Sequence, residues 1–133
     1  MKRILPVFFI VLWVIFSGMG GTPATDVPVP AVNFRATVID DQDIATKCAN
    51  VSWEGKTFFR AERGMGVITI PFEKVKKVTR VADAGGGGVD AQVVLKSGET
   101  VAVTFDGEAR FFGQTTFGTY RISAKNIKEI FFE

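Results

Sequence analysis

The sequence repeats itself. Shifted by 52 residues, Trp53-Glu-Gly-Lys-Thr-Phe-Phe59 lies over Phe105-Asp-Gly-Glu-Ala-Arg-Phe111. Without a gap, Gly55 meets Gly107, Phe59 meets Phe111, Gly66 meets Gly118, Ile70 meets Ile122 and Lys76 meets Lys128. Val75 meets Ile127, and Val78 meets Ile130. A shift of 55 carries the match upstream, placing Ala36-Thr-Val-Ile39 over Ala91-Gln-Val-Val94. The length difference falls between Asp40-Asp-Gln-Asp43 and Lys96-Ser-Gly-Glu99, a turn, where an insertion is tolerated. The matches sit on turn glycines and apolar positions, which a duplicated fold retains. The chain therefore builds one supersecondary unit twice.

That unit reads as β. From Phe34 onward, short runs of Val, Ile, Thr and Phe alternate with Gly and Asp turn signals. No stretch keeps a helical period for three turns. Each copy is expected to run as a meander. The first strand is Phe34–Ile39 or Asp90–Leu95, and the second is Lys47–Trp53 or Thr100–Phe105. A tight turn follows at Glu54-Gly55 or Asp106-Gly107, Asp-Gly being a favoured type I′ pair. The third strand carries Phe58-Phe59 or Phe111-Phe112. After glycine turns at Gly64–Gly66 or Gly118, the fourth is Val67–Phe72 or Thr119–Ser123. A turn of helical character, Phe72–Lys76 or Ala124–Lys128, leads to the last strand, Lys77–Val81 or Glu129–Phe132. The fold class predicted is all-β, a small barrel or sandwich of two similar meanders. The first unit covers 34–81 and the second 89–133, joined by a flexible Gly-rich connector at 82–88, and residues 34–133 form one compact domain.

Alternation within the strands predicts the core. Val101, Val103 and Phe105 share one face, opposite Ala102 and Thr104. By the repeat, Ala49, Val51 and Trp53 point inward, and Cys48, Asn50 and Ser52 outward. Ile68, Ile70 and Phe72 make another inward row, matched by Tyr120, Ile122 and Ala124.

Ahead of the repeat lies a targeting segment. Lys2 and Arg3 precede an apolar run, Ile4–Phe16, then small residues from Ser17 to Ala24. This is the layout of a secretory signal peptide over residues 1–24, with cleavage after Gly20 or Ala24. The run is shorter than the ~20 residues of a membrane span. An uncleaved N-terminal anchor is the alternative, and membrane contact is expected only in that case. A Pro-rich leader, residues 25–33, follows. Loss of Lys2 and Arg3 brings the 16 basic residues down to 14, equal to the 14 acidic ones. The balance gives no footprint for a nucleic-acid binder, whose domain would be basic.

Composition narrows the chemistry. With no His and a single Cys, the chain lacks the commonest general base, every intrachain disulfide and every Cys-based zinc site. No nucleophile–base pair stands out, and no cofactor, metal or catalytic residue is expected. Gly85–Gly88 precedes a strand rather than a helix, so it reads as a linker and not a phosphate cradle. Asp40, Asp41 and Asp43 crowd one turn, but their spacing does not fit an EF-hand loop. Paired carboxylates such as Glu62 with Glu108, or Asp41 with Asp106, are the minimal basis for a hydrolase, and no spacing selects them.

Surface features are more informative. Ten of the 13 Phe follow the signal segment. Phe58-Phe59, Phe111-Phe112 and Phe131-Phe132 each place one ring inward and one outward on a strand. Burial of a Phe side chain contributes roughly 1.5–3 kcal/mol. Outward rings therefore call for cover, from a second sheet of the same chain or from a partner. Lys74, Lys76, Lys77 and Arg80 form a possible basic patch. Cys48 is either a free thiol open to bridging or a small hydrophobe.

The ending of each copy, Gly-x-x-x-Ile, a helical turn and then Ile/Val-Lys-x-Ile/Val, resembles small SH3-like or Sm-like barrels of exported bacterial proteins of unknown function. Leu95-Lys-Ser-Gly-Glu-Thr-Val101 is similar to the first hairpin of such barrels. The resemblance covers residues 34–132 and brings no active site with it; those barrels usually hold the unit once. The expected role is non-catalytic: binding or assembly in the cell envelope, in the periplasm or outside the cell, through a protein partner or self-association. A membrane-tethered accessory protein is the alternative, and a carboxylate-based hydrolase a further one.

Overall fold

A computed structural model describes residues 29–133. The signal segment and most of the leader lie outside the described residues. The fold is all-β, as expected. Ten strands form one antiparallel sheet curled into a half-barrel. They are β1 (Ala36–Asp40), β2 (Ala45–Trp53), β3 (Phe58–Arg63), β4 (Gly66–Pro71), β5 (Val75–Asp83), β6 (Gly88–Leu95), β7 (Thr100–Asp106), β8 (Arg110–Thr115), β9 (Gly118–Ser123) and β10 (Ile127–Phe132). Single 3-10 turns at Phe72–Lys74 and Ala124–Asn126 precede β5 and β10, where the helical turns were expected.

The strand order is β4-β3-β7-β6-β5-β10-β1-β2-β8-β9. Replacing each strand by its repeat mate reverses this order onto itself. The sheet thus has a two-fold relation centred on the β5–β10 pair, where Val78 faces its own equivalent, Ile130. Across the core the repeat mates Trp53 and Phe105 also touch, with ring centroids 4.8 Å apart.

The order corrects the simple meander. In each copy the second strand was expected to pair with the third. Instead β2 pairs with β8, and β3 with β7. The copies exchange their β3–β4 and β8–β9 hairpins. Trp53 and Lys56 close a two-residue turn with mutual N–H···O=C bonds of 2.7 and 2.9 Å. Glu54 and Gly55 have φ of 52° and 83°, the left-handed pair a type I′ turn needs. Beyond Lys56 the strands diverge, and Phe59 enters the common core against Trp53, Phe72 and Phe105. The exchange lets both copies bury their aromatic rings in one cluster.

Three further expectations change. Asp106-Gly107 is not a type I′ turn, because Gly107 has no positive φ. The Asp106 carboxylate accepts the Glu108 N–H (2.9 Å), and the Gly107 N–H donates to the Gly87 carbonyl (3.0 Å). The connector is likewise not a loose linker. β5 extends to Asp83, which pairs with Val89, so Ala84–Gly87 is a hairpin loop. Gly86 and Gly87 take φ of 72° and 84° there, which glycine adopts at no steric cost.

The third change is on β2. Its pairing with β8 slips between Ala49 and Ser52, and Asn50 stands at φ 50° inside the slip. This bulge inserts a residue and inverts the alternation. Cys48, predicted to face outward, enters the core beside Val51 and Trp53, while Ala49 is only half-buried. Ser52 is also buried, and its hydroxyl has no hydrogen-bond partner among the described residues.

Candidate functional site

Two features of this frame are candidates for function: a cleft at one exchanged seam and a pair of hairpin tips.

The cleft lies where β3 meets β7. Only Glu62 and Thr104 are in register there, and the strands splay on either side. The opening is about 820 Å³. Gly85–Gly88 forms one wall, with Trp53, Ala61, Val67 and Ala109 among the apolar lining. The charged lining comprises Glu54, Glu62, Asp106 and Glu108 with Lys56 and Arg60. Two of these carboxylates are ion-paired, and Asp106 accepts the Glu108 N–H. Glu108 pairs with Lys125 at 2.9 Å, and Glu54 with Arg110 at 3.5 Å while also accepting the Arg110 backbone N–H at 2.6 Å. Glu62 and Glu108, named from sequence as a possible carboxylate pair, do share this cleft, together with Asp106. Asp41 does not, because it is bound to Arg80 at 2.5 Å elsewhere.

The hairpin tips are repeat mates. Gly64-Met65 turns β3 into β4, and Thr116-Phe117 turns β8 into β9; residues 65 and 117 are 52 apart. Met65 is fully exposed (105%) and Phe117 nearly so (85%). Gly64 has φ 60° at the first central position, as in a type II′ turn. At the other tip the Thr115 hydroxyl donates to the Gly118 carbonyl (2.7 Å) and accepts the Phe117 N–H (3.2 Å). Each turn is thus held by local geometry while its apolar side chain stands in water. Sequence reading passed over both residues. The signal was present: a large apolar residue between turn-forming neighbours, at the same place in each copy.

The phenylalanine doublets, by contrast, are largely covered by the chain itself. Phe59 and Phe111 are core residues with no exposure. Phe112 is buried too, beneath the Arg110 guanidinium 5.5 Å from its ring centroid. Phe132 is half-buried against Phe72 and Phe59, and Phe58 is half-buried. Only Phe131 stays in solvent, with the Lys77 ammonium 5.8 Å from its ring. The six residues do not make one surface.

The basic patch is likewise dispersed. Lys77 lies over Phe131, and Arg80 donates to the Lys125 carbonyl (2.8 Å) besides its pairing with Asp41. The hydrogen bond from that pairing raises the Arg80 pKa further. Lys74 and Lys76 remain exposed. The three aspartates of the first turn serve separate ends. Asp40 accepts the N–H groups of Gln42 and Ile44, Asp41 holds Arg80, and Asp43 holds Lys128 at 2.6 Å. Among the described residues no group of three His, Cys, Asp or Glu side chains is placed to hold a metal. Cys48 is unpaired and buried, and burial pushes its thiol up to about 11. No helix among the described residues is long and apolar enough to cross a membrane.

A family model described as an uncharacterised protein matches residues 30–133, and the chain belongs to that family. No curated protein and no solved structure matches it.

Proposed function

We propose that this member of an uncharacterised family is a non-catalytic β domain of the cell envelope that works by surface contact, in binding or assembly. The observation that carries the reading is the pair of exposed apolar tips, Met65 and Phe117, at equivalent ends of two exchanged hairpins. A large apolar side chain held in water on an ordered turn is a standing gain in free energy for whatever covers it. Two such tips, repeated by duplication and set at opposite edges of one sheet, suit a protein that contacts through both. The N-terminal segment supports export, with a signal peptide ending at Gly20 or Ala24. The strand–turn–strand ending of each copy keeps the SH3-like or Sm-like resemblance as the finer reading of each unit.

The test is photo-cross-linking in the native host, with p-benzoylphenylalanine placed at Met65, at Phe117 or, as an exposed polar control, at Glu99. Discrete adducts from both tips in the envelope fraction are the expected result. Adduct levels no higher than at position 99 would overturn the reading. Intact mass of the same material separates the free form from the tethered one: a first residue near Gly21 or Thr25 excludes the anchor.

A further inference from the structure

The sheet ends in β4 on one side and β9 on the other, so each has one edge without a neighbour among the described residues. An open edge presents backbone N–H and C=O groups to any passing strand, and natural sheets guard such edges with charge, proline or a bulge. The two edges here are repeat mates guarded unequally. β9 reads Gly-Thr-Tyr-Arg-Ile-Ser, with Arg121 exposed near its middle. β4 reads Gly-Val-Ile-Thr-Ile-Pro, with no charge at all. It pairs with β3 at six consecutive positions, from Phe58↔Pro71 to Arg63↔Gly66, with no bulge.

The turn fixes which groups point outward. The two-residue hairpin closes on Arg63 and Gly66, so Gly66, Ile68 and Ile70 turn their backbone groups toward β3. Val67 and Thr69 turn theirs to the open edge. Their side chains are exposed as well, Val67 by 61%, whereas Ile68 is half-buried against the core.

We propose that β4 pairs antiparallel with β4 of a second copy, about a two-fold axis at Ile68. This deepens the contact reading above by naming the partner of one edge, and it rests on that reading. In this register Val67 faces Thr69 of the second copy, and Thr69 faces its Val67. Both are hydrogen-bonded pairs, about four N–H···O=C bonds in all. The two Ile68 side chains meet as the closer, non-hydrogen-bonded pair at the rim of each core, the cross-strand contact that stabilises a sheet. Proline removes what the longer overlap of the neighbouring register would add. Moving the axis to Thr69 sets the Val67 carbonyl opposite Pro71, which has no N–H to give. No charge opposes the approach along β4, whereas the same arrangement of β9 sets Arg121 opposite Thr119 of the second copy and brings the two guanidinium groups onto one face at diagonal positions.

The experiment is light scattering after size exclusion, over a hundred-fold concentration range, on the full protein purified from its own host. The parent is expected to reach twice its monomer mass. The double variant Val67→Lys with Thr69→Lys changes only exposed side chains and is expected to remain monomeric, with association at least ten-fold weaker. Thr119→Lys, at the repeat mate of Val67, is expected to dimerise like the parent. A parent that stays monomeric, or a double variant that dimerises as well as the parent, overturns the proposal. A cross-linker at Val67 gives a second readout. An adduct of twice the chain's mass supports self-pairing, and an adduct of any other mass assigns the edge to a different protein and overturns it. Tip adducts with a monomeric parent would sink this inference while leaving the contact reading in place.

Discussion

Along the β2–β8 seam, Trp53 meets Phe111 and Ser52 meets Phe112; the ladder then skips the bulge and resumes with Ala49 and Gln114. Glu54 and Arg110 continue it past the strand end, each backbone N–H finding an acceptor on the other residue. The equivalent β3–β7 seam holds one pair, Glu62 with Thr104, and opens into the cleft. The two seams occupy equivalent places in the repeat, yet along their strands only Val51 with Val103 and Phe59 with Phe111 are identical. Gly113 on β8 is the mate of Ala61 on β3. A Cβ at Gly113 would fall 2.6 Å from the Cβ of Cys48, so the closed seam requires glycine there. Asn50 holds the left-handed bulge by donating from its side-chain amide to Gln114 (2.9 Å) and from its backbone N–H to Asn33 (2.8 Å). At the open seam the mate of Asn50 is Ala102, whose carbonyl accepts the Arg63 guanidinium (2.9 Å), and the glycine loop engages the seam through the Gly87 carbonyl and the Gly107 N–H. Duplication supplies the frame, and the candidate site arises where the copies have ceased to match.

The strongest way to break the comparison is through the core both seams share. Phe59 and Phe111 are repeat mates, each fully buried, one on each seam. Phe72 touches both, with ring centroids 4.8 and 6.4 Å away. Phe59→Ala and Phe111→Ala should each cost about 3–5 kcal/mol. Urea unfolding followed by tryptophan fluorescence and by circular dichroism should show one coincident transition in each variant. Two separable transitions, with one variant shifting only one of them, would mean that the halves fold independently and the exchange of hairpins is not cooperative.

How much of this was legible beforehand follows from what a linear pattern encodes. The glycines at 55, 66, 107 and 118 and the apolar rows around Ile70 and Val103 mark strands and turns by local chemistry, and those strands form. Pairing is different in kind. Alternation says which face of Phe59 is buried but not which strand lies beside it, so β3 reads equally well against β2 or β7. The bulge at Asn50 was hidden for a related reason: one left-handed residue inverts every side chain before it, and nothing local requires Asn50 to adopt that conformation. The Asp106-Gly107 turn misled because a tertiary contact, the Gly87 carbonyl, competes with the local preference. The cleft depends on the exchanged pairing and on the Gly87–Gly107 contact, and had no signature of its own. The tips had one, since Met65 and Phe117 sit between turn residues in both copies.

A smaller effect sharpens the contrast between the seams. Gly113→Ala should destabilise by about 1–3 kcal/mol, because its methyl meets the Cys48 side chain and the β2 backbone must move. Ala61→Gly, the reciprocal exchange at the open seam, should cost only about 0.5–1 kcal/mol, the ordinary penalty of glycine in a strand. Chemical denaturation of both variants checks the order. Equal losses would show that the closed seam is no tighter than the open one, and that the cleft owes nothing to the Gly113–Ala61 difference.

The last test reads the closed seam through its thiol. The repeat mate of Cys48 is Thr100, which is exposed, whereas Cys48 is sealed against Gly113 and Val51. Burial raises the Cys48 pKa from the usual 9.0 to about 11, so the folded protein keeps this proton where the unfolded chain releases it. The contribution to stability is complete below pH 9 and is lost as pH rises toward 11. At pH 10 the loss should be on the order of 1 kcal/mol, one unit of ionisation in the unfolded state. Cys48→Ala removes the group and changes stability by an amount independent of pH. Tyr120, whose pKa is raised first by burial and then by Asp40 and Cys48, titrates in both proteins and cancels except for the part that Cys48 contributes. The difference between parent and variant, measured from pH 8 to 11 by urea unfolding, should therefore shift steadily against the parent. Parallel curves would place the thiol in water, and a Cys48 in water cannot be the residue that closes β2 onto β8.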